Sequence, residues 1–487
     1  MPNRNRKKNH NLLGLPSGRG SSDGINRPRL DFQPSRILVA SAVDLPGVLH
    51  PVVASLSVLK DLDDTALANS MLKLQDEVIY FTLKRVLNDQ RPGIDAEPKD
   101  LQMVVLKRLI FAQVETILVA QTGFGKSLIF QTFTLLTGKI TIQVIPLVAL
   151  GQQQLLDTEA IPGAKPCLIT AETKALDSGI FRKILALEYT HILLGPEQLL
   201  STEFQDILVN SNFRRQVGLI AIDEAHCISM WSSFRAEYAS LHRIRALLPR
   251  TAVLFACTAT MDPYTEGRIV KDAGFQYFGS WNTRDGIIRM SVDRPDIALV
   301  IVQLPSRNQR EALTFILNDA SKLDGEDNDP SPQNIKKTII FGNSIKDVST
   351  ICKDFRSILL RQHQYSHKQC IDVVRIFTSR TPQIDRDSVL SSFRRPDSKI
   401  RILVATTAFG MGLDIPDVEV VVQFKAIKAG RQSQPTGTQL EIQNSLSTVC
   451  CDLWQRIGRA ARGSSIRGIA YICLESNLWS DQRKRNQ

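Results

Sequence analysis

The chain has 487 residues, 43% of them hydrophobic and 22% charged, with a formal net charge of +11. That length and apolar content allow two or three domains with real cores and exclude a disordered or fibrous chain. The excess charge lies at the two ends: residues 1–36 carry eight Lys/Arg against Asp23 and Asp31, and residues 456–487 carry seven against Glu475 and Asp481.

Basic ends fit nucleic-acid binding or nuclear import, so a nucleus is the expected compartment; solvated disorder is the plain alternative. The first thirty residues are polar and basic without an apolar centre, so no secretory leader is expected. The longest apolar stretch, Ile37–Leu59, contains Asp44, Pro46, His50 and Pro51, which argues against a membrane span. None of the eight cysteines forms a CxxC pair, so no zinc site and no disulfide framework is expected.

In chain order, residues 1–36 read as a disordered basic tail and 37–95 as a helical extension, with 3.6-residue apolar spacing in "DDTALANSMLKLQDEVIYFTLKRVL". Short β-branched runs then alternate with amphipathic ones: "TILVA", "ITIQVIP", "HILLG", "GLIAID" and "AVLFAC". After "SVDRPD" the series resumes with "IALVIVQ", "KTIIFG", "VVRIF", "IRILVAT", "VEVVVQF" and "GIAYICL". Such alternation predicts α/β architecture with two parallel sheets, one over residues 96–290 and one over 291–476, ahead of a basic tail at 477–487.

"AQTGFGKS" (120–127) stands between a strand and an apolar helix, the setting of a phosphate-binding loop. Gly123 and Gly125 allow the tight turn that aims backbone N–H groups at phosphates, with Gln121, Thr122 and Phe124 completing the loop. Lys126 is expected at the β and γ phosphates of ATP, and Ser127 at Mg²⁺. "GLIAID" delivers Asp223 to the same sheet edge, as a second magnesium ligand, with Glu224 placed to deprotonate the attacking water. Trp231 follows in a stretch too short for a helix of its own.

With "AQTGFGKS", "DEAH" and "QRIGRAAR" in this order, residues 90–475 resemble the DEAD/DEAH-type superfamily 2 helicases, and the RecQ family in particular. "PLVALGQQQ", "PEQLLS", "CTATMD", "SVDRPDI" and "VATTAFGMGLDIPDV" match further motifs. The resemblance implies two tandem RecA-like domains, with the helical extension in front. Gln102 in "PKDLQ" matches a glutamine that reads adenine, with Lys99 beside the base; a surface helix is their plain reading. His226, Thr258 and Thr260 match residues coupling nucleotide state to the nucleic-acid groove, and Gly412 and Asp414 a nucleotide-facing motif of the second lobe. Arg459 and Arg462, three apart and so on one face of a helix, are expected to clamp the γ-phosphate, Arg462 as arginine finger. Gln455 is expected at the nucleotide or its water. Trp231, Phe234 and Arg235 are expected to stack on and contact single-stranded DNA; the rival for Trp231 is buried core.

The chain departs from the family pattern at Lys99, where an arginine is usual, by an insertion ahead of the last motif, and in four further places. Its loop reads W-S-S-F-R, one residue short; "IFTSR" replaces a Tyr-His element; Ala461 stands where glycine is usual; and no Asp follows Arg462. Only 25 residues follow Arg462, so the family's zinc and winged-helix modules are not expected and unwinding should be poorly processive. The leading expectation is an ATP-driven 3′→5′ helicase or translocase on single-stranded or tailed duplex DNA, without a membrane partner. An RNA helicase and a nucleotide-binding relic without unwinding are the alternatives.

Overall fold

The structure, a computed structural model, describes residues 64–90, 92–93, 95–232, 235–275, 286–318, 332–406, 415–427, 449–462 and 466–476, with side chains from Leu72 onward. Phe234, Gly412 and Asp414 lie outside the described residues.

The first part opens with helices α1 (Asp64–Gln90) and α2 (Asp100–Ile110). It continues with β1 (Thr116–Val119), α3 (Lys126–Thr137), β2 (Ile140–Val144) and α4 (Val148–Glu159). Strands β3 (Pro166–Ile169), β4 (His191–Leu194) and β5 (Val217–Ile222) follow, then the short α5 (Cys227–Trp231), β6 (Val253–Thr258), α6 (Pro263–Ala273) and β7 (Ile287–Arg289). These seven strands form one sheet in the order β3-β4-β2-β5-β6-β1-β7. Every pairing in it is parallel.

The second part runs β8 (Ile297–Leu304), β9 (Thr338–Gly342), α7 (Ile345–Gln362), β10 (Val374–Phe377), α8 (Gln383–Arg394), β11 (Ile402–Ala405), β12 (Val420–Phe424) and β13 (Gly468–Glu475). Its six strands lie in the order β10-β11-β9-β12-β13-β8, again all parallel. The chain changes sheets between Arg289 and Ile297.

Burial on both faces explains the unbroken apolar runs in the central strands. Alternate residues of β1 enter different cores, Ile117 and Val119 on one face and Leu118 on the other. The second core also takes Val78, Ile79, Leu83 and Val86 of α1 beside Ile129, Phe130 and Phe133 of α3. At about 2 kcal/mol per buried aliphatic side chain, α1 is anchored to the helix that carries the phosphate loop.

Two strands went unread in the sequence. β3 begins at Pro166 and lies at a sheet edge, where a proline costs no ladder bond; β7 is three residues long at the other edge. Trp231 ends a five-residue helical turn of its own, against expectation.

Candidate active site between the two sheets

Parallel order sends the loops after β1, β5 and β6 to one edge, because β6 lies between β1 and β5. The loop after β1 turns on Gly123 (φ 78°) and Gly125 (φ 87°) and enters α3 at Lys126. A methyl on Gly125 would stand 2.6 Å from Gln102 Nε2, so both conformation and space demand glycine there. Lys126 is buried, and its ammonium donates to the carbonyls of Ala120 (3.0 Å) and Gln121 (3.1 Å).

Gln102 is not a surface residue: it is 1% exposed, and its amide donates to the carbonyls of Phe124 (3.1 Å) and Gly125 (3.2 Å). Lys99 donates to Phe124 O at 3.0 Å and lies 4.8 Å over the Phe124 ring. Both side chains therefore buttress the loop from α2.

At the end of β5, Asp223 Oδ2 accepts from Gln154 Nε2 of α4 at 2.6 Å. Its Oδ1 accepts from the Glu224 N–H (2.9 Å) and the Cys257 thiol (3.3 Å). Burial, and next the charge of Glu224, push the Asp223 carboxyl above the ordinary aspartate range. Burial acts the same way on Glu224, but His226, Lys126, Arg459 and Arg462 together outweigh it and hold that carboxyl below the glutamate range. Glu224 also has φ 47°, a strained value for a side-chain-bearing residue.

A chain of polar contacts leads away from Glu224. His226 Nδ1 lies 3.4 Å from Glu224 Oε2 and 3.0 Å from Thr258 Oγ1. The Thr258 hydroxyl donates to Thr260 O (2.9 Å), so its oxygen accepts and His226 Nδ1 carries the proton. Burial lowers the His226 pKa below that of a free imidazole, against the charge of Glu224, which raises it. Gln455, expected at the nucleotide or its water, instead donates its amide to Thr260 Oγ1 at 2.9 Å, joining the second sheet's domain to the first.

Arg459 and Arg462 do not share a helix face. Helical residues run from 449 to 457; 458–460 form a turn, and Ala461 has φ 51°. The turn nevertheless carries both arginines to a cavity of about 450 Å³ that Thr122, Gly123, Gly125, Lys126, Asp223 and Glu224 line from the other side. Ser127, Lys99 and Gln102 line it too. The Thr122 hydroxyl donates to Gly458 O at 3.3 Å. Sequence reasoning missed Gln154 and also Arg394, which reaches from α8 into the same cavity and donates to Gln153. Gln154 sits within a quoted motif, but three adjacent glutamines do not show which one faces the acid; Arg394 carries no motif signal.

The donors at the cavity fit a magnesium nucleotide. Carboxylate and hydroxyl oxygens from Asp223 and Ser127 suit a small hard cation, and the glycine turn with Lys126 suits phosphate.

The Trp231 side chain is half-buried against the first core and meets Tyr238 edge-on at 6.0 Å. Arg235 lies 5.2 Å over the Trp231 ring and makes a two-pronged pair with Glu197 (2.6 and 2.7 Å), with a third bond to Pro146 O. A second cavity of about 230 Å³ opens here, bounded by Pro146, Thr170, Gly195, Glu197 and Arg235.

Residues 99–266 match the family "DEAD/DEAH box helicase" and residues 323–464 the "Helicase conserved C-terminal domain". Together with the two parallel-sheet domains, these matches define a two-lobed superfamily 2 helicase with tandem RecA-like domains. Among curated relatives, the ATP-dependent DNA helicase RecQ of Pasteurella multocida is 27% identical over 64% of this chain and 43% of its own length. The bifunctional 3'-5' exonuclease/ATP-dependent helicase WRN of Mus musculus is 27% identical over 68% of this chain and 21% of its own. Among members of that superfamily the chain is similar to the RecQ helicases, and it spans less than half the length of these two relatives. Solved structures share the fold: S. cerevisiae Dbp5 bound to RNA and ADP BeF3 (TM-score 0.56, 16% identity, 82% of this chain and 90% of that one) and the DUF1998 helicase MrfA bound to DNA (TM-score 0.57, 16% identity, 83% and 53%).

Proposed function

We propose that the chain is an ATP-dependent DNA helicase or translocase of RecQ type, moving 3′→5′ on single-stranded or tailed duplex DNA. The observation that carries this reading is the shared cavity, with Lys126, Asp223 and Glu224 on one wall and Arg459 and Arg462 on the other. Lys126 exchanges its two backbone carbonyls for phosphate oxygens. Asp223 and Ser127 hold Mg²⁺, which when bound neutralises phosphate charge. Glu224, kept ionised by the surrounding cations, accepts the proton of the attacking water. Arg459 and Arg462 offset charge that develops in the transition state, Arg462 as the finger. His226, Thr258, Thr260 and Gln455 carry the state of that cavity between lobes, and Arg235, which lines the second cavity, contacts single-stranded DNA together with the Trp231 ring it covers. The basic ends favour nuclear work on DNA.

ATP turnover with and without single-stranded DNA, alongside Lys126→Ala and Glu224→Gln, tests this. Both variants should lose DNA-stimulated turnover, and the parent should separate a 3′-tailed duplex. Stimulation by RNA alone would favour an RNA helicase, the substrate seen with Dbp5. DNA binding without ATP-driven separation would mark a relic.

A further inference from the structure

The segment between the two sheets, residues 290–296, contains Arg294, which is 8% exposed. Its guanidinium points at the turn that carries the cavity's two arginines. Nη2 donates to the carbonyls of Ala460 (2.8 Å) and Ala461 (2.7 Å), and Nη1 reaches Gly458 O at 3.3 Å. Asp296 holds the guanidinium from the other side, accepting from Nε (2.9 Å) and Nη2 (2.6 Å). A further tie joins the same segment to the helix before the turn, where Trp454 Nε1 donates to Val292 O at 3.1 Å.

The turn needs such a clamp. Ala461 sits at φ 51°, where its methyl is strained, and residues 458–461 are buried. Their carbonyls, freed by the end of the helix, have to find donors or remain unpaired. The Gly458 carbonyl also takes bonds from Thr122 and from Arg462 Nε (3.2 Å), but those of Ala460 and Ala461 are served by one planar guanidinium, which a lysine's point charge does not reproduce. Strained backbone persists only where its surroundings over-determine it.

We propose that Arg294 is a positioning residue for ATP hydrolysis: it fixes the 458–461 turn and thereby aims Arg459 and Arg462 across the cavity. The inference rests on the functional reading above. It makes the connector between the lobes part of the catalytic geometry, so that movement of the connector is felt by the arginines directly. Arg294 is not among the residues that line the cavity, so its loss should misplace charge in the transition state while leaving nucleotide binding intact.

The test uses the full chain and four variants: R294M, R294K, R462Q and R294M/R462Q. DNA-stimulated turnover is read as kcat and KM, with the thermal midpoint and fluorescent-ADP binding measured in parallel. R294M should lower kcat about tenfold or more with KM changed less than about threefold, and R294K should recover part of the loss. R294M should lower turnover less in the R462Q background than in the parent, since part of its effect runs through Arg462 and only the part through Arg459 remains. A kcat for R294M within about twofold of the parent overturns the proposal, as does a double variant whose loss is the product of the singles. If R294M does not fold, R294K and R294K/R462Q give the same comparison. Should R462Q itself retain full turnover, the reading of the cavity falls and this inference with it. Should R462Q lose turnover while R294M keeps it, only this inference falls.

Discussion

The bond from Gln455 Nε2 to Thr260 Oγ1 crosses between the lobes at 2.9 Å with both residues at least 94% buried, so its worth can be isolated. Thr260→Val keeps the shape and the bonds between the Thr258 hydroxyl and the Thr260 backbone, and removes the hydroxyl that accepts from Gln455 and also meets the Cys451 thiol. Gln455→Leu removes only the donor. Each change alone leaves one buried polar group unpaired, a cost of about 1–3 kcal/mol. If closure of the lobes limits turnover, that cost lowers DNA-stimulated kcat by about fivefold to a hundredfold. Removing both partners leaves neither end of this bond unpaired, so the double variant should resemble the weaker single, with a coupling of about 1 kcal/mol or more. The assay is a double-mutant cycle on kcat at saturating ATP and DNA. Additivity within about 0.5 kcal/mol would refute the claim that this contact links the lobes.

Three further predictions follow from backbone and burial. Gly125→Ala places a methyl 2.6 Å from Gln102 Nε2 at φ 87°, and should abolish nucleotide binding in a fluorescence titration while costing about 1–2 kcal/mol in urea unfolding. Ala461→Gly relieves the strain at φ 51° and should raise stability by about 1 kcal/mol; destabilisation would show that the methyl's packing outweighs the strain. His191, fully buried and bonded to Gln131 O, has its pKa lowered from 6.5 to about 4 by burial. The folded chain then binds fewer protons than the unfolded one between those values, so this stability is complete above pH 6.5 and is lost as pH falls towards 4. The loss amounts to about 3 kcal/mol, and His191→Gln should flatten the pH dependence of the urea midpoint over that window.

The sheets were legible because their central strands are apolar on both faces, as in "GLIAID" and "TIIFG", and because the glycine loop and acid pair each follow a strand directly. The two edge strands were not, since Pro166 and a three-residue run give no periodic signal. The arginine pair was found from its motif, but its geometry was misread. Spacing of three suggests a helix face, whereas the helix stops at Ile457 and the positive φ of Ala461 turns the chain. The preference for glycine at that position, noted only as a departure, acquires a cause in that angle. Arg294, Gln154 and Arg394 were invisible for another reason: each acts by a tertiary contact with a segment 69 to 241 residues away, and local pattern carries no trace of it.

Both walls of the cavity contain a strained residue, Glu224 on one side and Ala461 on the other. Neither strain is held by a long flexible side chain of its own. At Glu224 the N–H is fixed by Asp223 Oδ1 and the next N–H by Cys257 O; at Ala461 the N–H goes to Val418 O and the carbonyl to Arg294. Each wall is therefore set by backbone tied to neighbouring strand ends or to the inter-sheet connector. On the proposed reading, binding need not build either wall. It has only to exchange the Lys126 carbonyl bonds for phosphate and to change the distance between two finished surfaces. This makes the connector and the Thr260–Gln455 contact the places where hydrolysis becomes movement, and substitutions there should lower turnover and strand separation together while leaving nucleotide binding in place.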